Sequence, residues 1–411
     1  MHLSPFFRAL CLCALAVSLA ACTTAAIAKK PKPHGQGHRH ASTLPASDSD
    51  PDVVTYGRRD DVARFGAELA ERRNLDPVWV KAALEQARFM PNVAKFIMPA
   101  PAGTAKNWAA YRTRFVEPVR IRAGVAFWRA NEKWLKKAET VFGVPPEIVV
   151  GIIGVETIYG QQMGGFRVID ALATLAFDFP PGRKDRSPFF RDELESYLLM
   201  CHLEAIDPLQ LKGSYAGALG MPQFMPSSVN KYAIDFDGDG HIDLHANTAD
   251  VIGSVAHYLA EFGWQRGLPT RFDVAVPVNT SDRAVLLGPD ILPSFTVEQF
   301  IERGAKLDAA ALTANAKLAG TQDAQSNEGL GGTSAGSPGS AESASELSAP
   351  PESVAMMLAL VELQNGDAAP SYVAGTRNFY AITRYNWSSY YAMAVIDLGE
   401  AVARELARKP R

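Results

Sequence analysis

The nine residues from Ile148 to Glu156, "IVVGIIGVE", hold six aliphatic side chains, two glycines and a single carboxylate. Such a run belongs in a core, and its valine and isoleucine content would suit a buried strand. The preceding Pro145-Pro146-Glu147 favours a helix instead, with proline early and a carboxylate near the positive end of the dipole. A helix places Val149, Ile152, Ile153 and Glu156 on one face. A glutamate among apolar neighbours loses hydration, which disfavours its charged form and raises its pKa. A rise of about two units corresponds to roughly 2.7 kcal/mol and keeps the proton on near neutrality. A protonated glutamate in a cleft can donate to a glycosidic oxygen. The residues alone leave a plainer reading open, a helix-end glutamate that reaches water or pairs with an arginine.

The whole chain has 411 residues, 47% of them hydrophobic and 21% charged, enough for two or three modest domains or one domain with insertions. A net charge of −3 argues against a nucleic-acid partner, since no global positive field exists to hold phosphates. The apolar stretch from Ala9 to Ala21 follows Arg8 and is too short to span a bilayer. It contains Cys11 and Cys13 and ends in Leu19-Ala20-Ala21-Cys22, which resembles a bacterial lipobox. That implies removal of residues 1–21 and lipid on Cys22; a plain signal peptide cleaved nearby is the alternative. Cys201 is then the one remaining free thiol, so no internal disulfide is expected. Residues 22–55 are poor in large apolar side chains and read as a disordered tether. His34, His38 and His40 within it fit a solvated basic tail better than a metal site.

From Tyr56 onward the pattern is mainly helical. Asp76-Pro77 starts one helix, and "AGVAFWRANEKWLKKAETVF" aligns Phe127, Trp134, Leu135, Val141 and Phe142 as a core stripe. Another helix begins at Ser187. Alternation of Phe272, Val274, Val276 and Val278 predicts a strand, and Thr296 with Gln299 predicts a capping box for a short helix through Ile301. Residues 320–350 are low in complexity and read as disordered, within an insert of about 315–350. A last helix is expected from Ser388 to about Ala407.

Two constellations carry chemistry. In "DFDGDGHIDLHANTAD", Asp235, Asp237 and Asp239 occupy positions 1, 3 and 5 of an EF-hand loop, with Gly240 at the turn. His241 would offer its carbonyl and Asp243 would act at position 9. Position 12 is Ala246, so Asp250 would have to close the shell from the next helix. Oxygen donors at this spacing suit calcium; an acidic surface turn without metal is the alternative. The second constellation is Glu156 with "SYAGALGMPQFMPSS", residues 214–228, whose glycines and mixed side chains read as a groove wall.

Several long motifs occur in one order: "FGVPPEIVVGIIGVET", "DALATLAFDFP", "LKGSYAGALGMPQFMPSS", "DFDGDGHIDL", "IGSVAHYL" and "NFYAITRYNWSSYYAMAV". Together they resemble the membrane-bound lytic murein transglycosylase B family, from Tyr56 to about Ala407 apart from the insert. The resemblance implies a mainly α (α+β) fold with a lysozyme-like helical catalytic core, a small β-containing subdomain and an EF-hand-like calcium loop. It implies a helical region of residues 56–268 plus 376–411 and a β-containing region of residues 269–375. It puts the catalytic carboxyl on Glu156 and substrate-groove roles on Tyr111, Ser214, Gln223, Tyr258, Tyr385, Asn386 and Tyr391. Arg186 matches one of the family's paired arginines, while Asp185 stands where the other would be.

The implied reaction cleaves the β-1,4 bond between N-acetylmuramic acid and N-acetylglucosamine and leaves a 1,6-anhydromuramoyl end. Ordinary glycosidases use two carboxylates. Asp170 and Asp178 are the nearest candidates for a second, but nothing in their contexts suggests a cleft. A non-hydrolytic reaction accounts for one, and Ser214 could hold it in place. The resemblance further implies structural Ca2+, no organic cofactor, peptidoglycan glycan strands as partner and a periplasmic site of action. The lipid anchor at Cys22 would tie the chain to a membrane, with the outer favoured because Thr23 is not aspartate. Other murein enzymes are possible partners. A hydrolytic muramidase and a non-catalytic murein-binding lipoprotein are the alternatives.

Overall fold

In the computed structural model, Pro146 opens the apolar helix and Ile158, in the left-handed conformation, ends it at Thr157. Among residues Pro146–Thr157 only Pro146, Glu147 and Glu156 are not buried. The structure describes residues 54–98, 106–182, 184–328 and 355–408. The leader, Cys22 and the histidine-bearing tether lie outside them, as do residues 329–354 of the insert. Among the described residues no single helix is long and apolar enough to cross a membrane.

The partner that encloses this central helix is Ser389–Leu406, in the largest helix pairing among the described residues. Two glycines set how close they come. A Cβ on Gly151 would lie 2.3 Å from the Val395 carbonyl oxygen, and one on Gly399 would lie 2.0 Å from that of Glu147. Both values are far inside contact, so each position needs hydrogen there. Helices Pro118–Ala130, Glu132–Phe142 and Thr248–Glu261 pack around this pair. The expected stripe across the first two is interrupted, because Asn131 leaves helical geometry (ψ 17°) and donates its side-chain amide to the Phe127 carbonyl. Phe127 and Leu135 are buried as expected, but Val141 falls on the far side and is 55% exposed.

A second buried cluster gathers Leu69, Val80, Leu172, Phe190 and Tyr197 from helices Asp60–Arg73, Pro77–Glu85, Val168–Phe177 and Ser187–Leu203. Asp76 caps the second of these by accepting from the Val78 N–H at 2.8 Å. A third cluster, including Leu286, Phe300, Leu358 and Leu360, lies against an antiparallel five-stranded sheet. Its strand order is Phe295–Thr296, Met357–Asn365, Ala368–Gly375, Arg271–Ala275, Lys306–Leu307. The strand read from Phe272 to Val278 stops at Ala275, and Val278 is almost fully exposed. The capping box is present, with Thr296 and Gln299 exchanging hydrogen bonds of 2.9 and 3.3 Å. A helix over Ala309–Glu328 extends into the stretch read as disordered. Its alanine-rich start gives it helix propensity that the compositional reading overlooked.

Because the central pair touches backbone to backbone, Gly399→Ala should force the helices apart. A loss of roughly 2–3 kcal/mol is expected, read as a lower Tm. An unchanged melting curve would show that the pairing tolerates a wider spacing.

Candidate active site

Glu156 lies next to the end of the central helix, and that end is fixed unusually. Ile158 and Tyr159 are consecutive left-handed residues, with φ of 51° and 56°. Neither side chain favours that conformation, so the surroundings must impose it. Thr157, fully buried, donates its hydroxyl to the Met221 carbonyl at 2.9 Å and accepts the Gly160 N–H at 3.0 Å. The Tyr159 ring stacks on Phe127 (5.2 Å, 29°) and its hydroxyl fills the space that a Cβ on Gly124 or Gly154 would need. Arg120 donates from Nη1 to the carbonyls of Gly154 and Val155, at 2.9 and 3.2 Å.

Glu156 is half-buried, and aromatic side chains ring its carboxyl. Its Oε1 accepts a hydrogen bond from the Tyr391 hydroxyl at 2.6 Å. Tyr391 is fully buried and stacks on Tyr385, with centroids 6.3 Å apart and planes at 16°. Tyr385 in turn donates to the Pro222 carbonyl at 2.9 Å, and Tyr258 to that of Arg384 at 2.7 Å. Burial pushes the Glu156 carboxyl up to about 8, against the opposing pull of the Tyr391 hydrogen bond and the Arg120 charge. It therefore holds its proton at neutrality. Burial, and then the charge of Glu156, raises Tyr111, Tyr385 and Tyr391 above the ordinary tyrosine value, so all three stay hydroxyls.

Cavities flank this cluster on two sides. One, of about 230 Å³, is lined by Arg186, Ser214, Gln223, Tyr258 and Tyr385 among others. The other, of about 470 Å³, is lined by residues that include Tyr111, Gln364, Asn386, Trp387 and Tyr390. Tyr385 and Asn386 are adjacent in the chain and face one cavity each. Glu156 borders neither lining directly and meets them through its tyrosine neighbours. All eight groove residues expected from the sequence thus lie in these walls or, for Tyr391, on the glutamate itself.

Several details differ from expectation. Ser214 does not hold Glu156; its hydroxyl oxygen accepts the N–H groups of Ala216 (3.3 Å) and Ala218 (3.0 Å) and fixes its own turn. Gln223 is left-handed (φ 52°) and donates to the carbonyls of Gly220 and Met163 at 2.9 and 3.2 Å. Arg186 lies over the Phe189 ring at 4.5 Å. Asp185 accepts the N–H of Ser187, the first residue of the following helix, at 2.8 Å. Two donors wait unpaired: the hydroxyl of Tyr111 and Nδ2 of Asn386 are buried without a partner. Asp170 is tied to Arg167 and the Arg88 N–H, and Asp178 to Arg59 and Tyr56, so neither serves Glu156. Arg120, Thr157 and Tyr159 escaped the sequence reading. The spacing Arg120, Gly124, Phe127 was their signal, since it puts a charge on the face that the central helix covers.

In the acidic loop, carboxylate oxygens of Asp235, Asp237 and Asp250 all lie within 4.8 Å of one another. Asp250 is fully buried, and its oxygens accept from the N–H groups of Phe236 (2.8 Å) and Asp243 (2.9 Å). Burial, then the charges of Asp237 and Asp235, raise its pKa, as expected where anions converge and a hard cation would relieve them. Asp239 and Asp243 instead brace the loop, accepting the N–H groups of His241 and of His245 and Ala246. His241 is exposed and stands outside the acidic cluster.

The glutamate also makes a stability prediction. Between its ordinary value and about 8, the folded protein keeps this proton while the unfolded chain releases it. Stability is therefore fully present at low pH and falls as pH rises through that window. Glu156→Gln removes the titration, so its stability advantage over the parent, read as a rising Tm difference, should grow from pH 5 to pH 8 by on the order of a few kcal/mol. Parallel Tm–pH curves would show that the carboxyl is better hydrated than its surroundings imply.

The comparisons with known proteins identify the family. The transglycosylase SLT domain family matches residues 57–335 and 309–400. Membrane-bound lytic murein transglycosylase B of Escherichia coli (strain K12) is 37% identical over 356 residues, covering 85% of this chain and 84% of that protein. The soluble lytic transglycosylase SltB1 of Pseudomonas aeruginosa superposes with a TM-score of 0.68 at 34% identity, over 84% of this chain and 99% of that one. The Escherichia coli lytic transglycosylase Slt35 in complex with calcium gives a TM-score of 0.65 at 34% identity, over 85% and 95% of the two chains. With this coverage and identity, the chain belongs to the transglycosylase SLT family.

Proposed function

We propose that this protein is a lytic murein transglycosylase that cleaves the β-1,4 bond between N-acetylmuramic acid and N-acetylglucosamine without water. The observation that carries the reading is one glutamate whose carboxyl burial pushes up to about 8, hydrogen-bonded by Tyr391 and surrounded by tyrosines that line two cavities. Glu156 gives its proton to the glycosidic oxygen as the bond to muramic acid C1 breaks, and the sugar's acetamido group supports the cationic centre. The new carboxylate, held by the Tyr391 hydroxyl, takes the proton of the O6 hydroxyl as O6 bonds to C1. The glutamate ends as it began, and the product carries a 1,6-anhydro ring. A second carboxylate would be needed only to activate water.

The walls give each sugar its orientation. Tyr258 and Tyr385 share one cavity with Ser214, Gln223 and Arg186, and Tyr111 and Asn386 offer unpaired buried donors at the other. Calcium would bind Asp235, Asp237 and Asp250, with Asp239, His241 and Asp243 completing or bracing the loop, and would tie the segment after Tyr232 to helix Thr248–Glu261. Lipid at Cys22 would place the enzyme on a periplasmic membrane face, the outer membrane in preference to the inner.

Glu156→Gln should lower release of soluble fragments from murein by at least about a thousandfold while leaving glycan binding in place. Mass spectrometry of the parent's products should show anhydromuramoyl ends with no 18O gained from labelled water. Labelled reducing ends would identify a hydrolytic muramidase instead, and unimpaired cleavage by the variant would remove Glu156 from the chemistry. Chelation with EDTA should lower Tm by several degrees, restored by added Ca2+, with a smaller effect on turnover at low temperature. Identical melting curves would take calcium out of the account.

A further inference from the structure

Arg120 is a charged residue that the reaction above leaves without a task. It projects from helix Pro118–Ala130 and is only 8% exposed. Its Nη1 donates to the carbonyls of Gly154 and Val155, the second of which belongs to the peptide unit leading into Glu156. The guanidinium lies over the Phe115 ring at 5.1 Å, and its Nε is buried with no partner. Glu117 is the acidic group beside it, 4.0 Å from Nε, but both Glu117 oxygens already accept the N–H groups of Val119 and Arg120 at 2.6 Å. Burying a guanidinium with a donor unmet carries a desolvation cost that is set against the two capped carbonyls. A neutral amide would cap them at lower cost, so the positive charge itself calls for an explanation.

We propose that Arg120 is a positioning residue for the acid/base cycle, fixing the backbone that leads into Glu156 and steadying the carboxylate once its proton has moved to the leaving sugar. This rests on the reading of Glu156 as the acid/base. Its distance matters as much as its sign. No cation forms an ion pair with Glu156 among the described residues, and a guanidinium in direct contact would strip the proton needed for the first half of the cycle. With no charge nearby, the carboxylate would be too costly to form for the second half. Arg120 acts from behind the helix end, held on the carbonyls of Gly154 and Val155 and not on the carboxyl itself. The other groups facing Glu156 are hydroxyls: Tyr391 from helix Ser389–Leu406, Tyr385 from the turn after Arg377–Thr383, and Tyr111 from helix Trp108–Arg112. Arg120 itself faces Glu117 and Tyr159, the latter a buried hydroxyl.

The test is kcat/KM against pH for the full chain on soluble glycan fragments, because its alkaline limb reports the acid of the free enzyme. In Arg120→Gln, which keeps a donor and loses the charge, the limb should move up by about half a pH unit or more, with kcat down about tenfold. In Arg120→Lys, which keeps the charge, it should stay within about 0.2 of the parent's. A folded glutamine variant with an unmoved limb overturns the proposal. If the glutamine variant does not fold, the lysine variant decides: a parental limb supports the charge, and a limb displaced with the charge still present overturns it. A parent without an alkaline limb would instead refute the reading of Glu156, whatever Arg120 does.

Discussion

Glu156 and Tyr391 are 235 residues apart in the chain and 2.6 Å apart in space, and one helix pairing brings them together. Gly399 meets the backbone of Glu147, Gly151 meets that of Val395, and Tyr391 meets Glu156. Positions 391, 395 and 399 descend one face in steps of four, opposite an ascending face that carries 147, 151 and 156. The register of two antiparallel helices therefore sets the hydrogen bond of the acid. The glycines are the means, since any Cβ at either contact would widen the gap before the tyrosine could reach.

The same arrangement explains why the carboxyl keeps its proton while remaining reachable. Beyond its first turn the helix is buried on every side except the Glu156 edge, and that edge is closed by tyrosine rings in place of salt bridges. Rings withdraw solvent without offering a countercharge, so burial outweighs the stabilisation that the hydroxyl and Arg120 provide. The hydroxyls still leave polar edges for a sugar. The acidic loop solves the opposite problem, gathering carboxylates where a cation is the natural remedy.

Much of this was legible in the chain itself. The proline-led start of the central helix, its burial, the raised glutamate, the capping box at Thr296 and the reach of Asp250 across the loop all follow from local pattern. What was not legible depended on partners distant in sequence. Ser214 spends its oxygen on its own turn because the backbone there is tight, which spacing does not reveal. Val141 is exposed because Asn131 breaks a helix that composition would have continued. Arg120 has no task visible in its own helix, because the carbonyls it caps belong to the end of another. Legibility ended where a side chain's task was set by a distant stretch of backbone.

The order of these pieces along the chain has a consequence for biogenesis. The central apolar helix is synthesised more than two hundred residues before the helix that covers it. At typical rates of about 5–20 residues per second, it waits roughly 10–50 s with that face bare. During that interval the nascent protein carries its acid without the tyrosine that holds it, and exposes a surface suited to chaperones. The enzyme becomes complete only as its final helix emerges, so premature termination yields a sticky chain and not a partly active one.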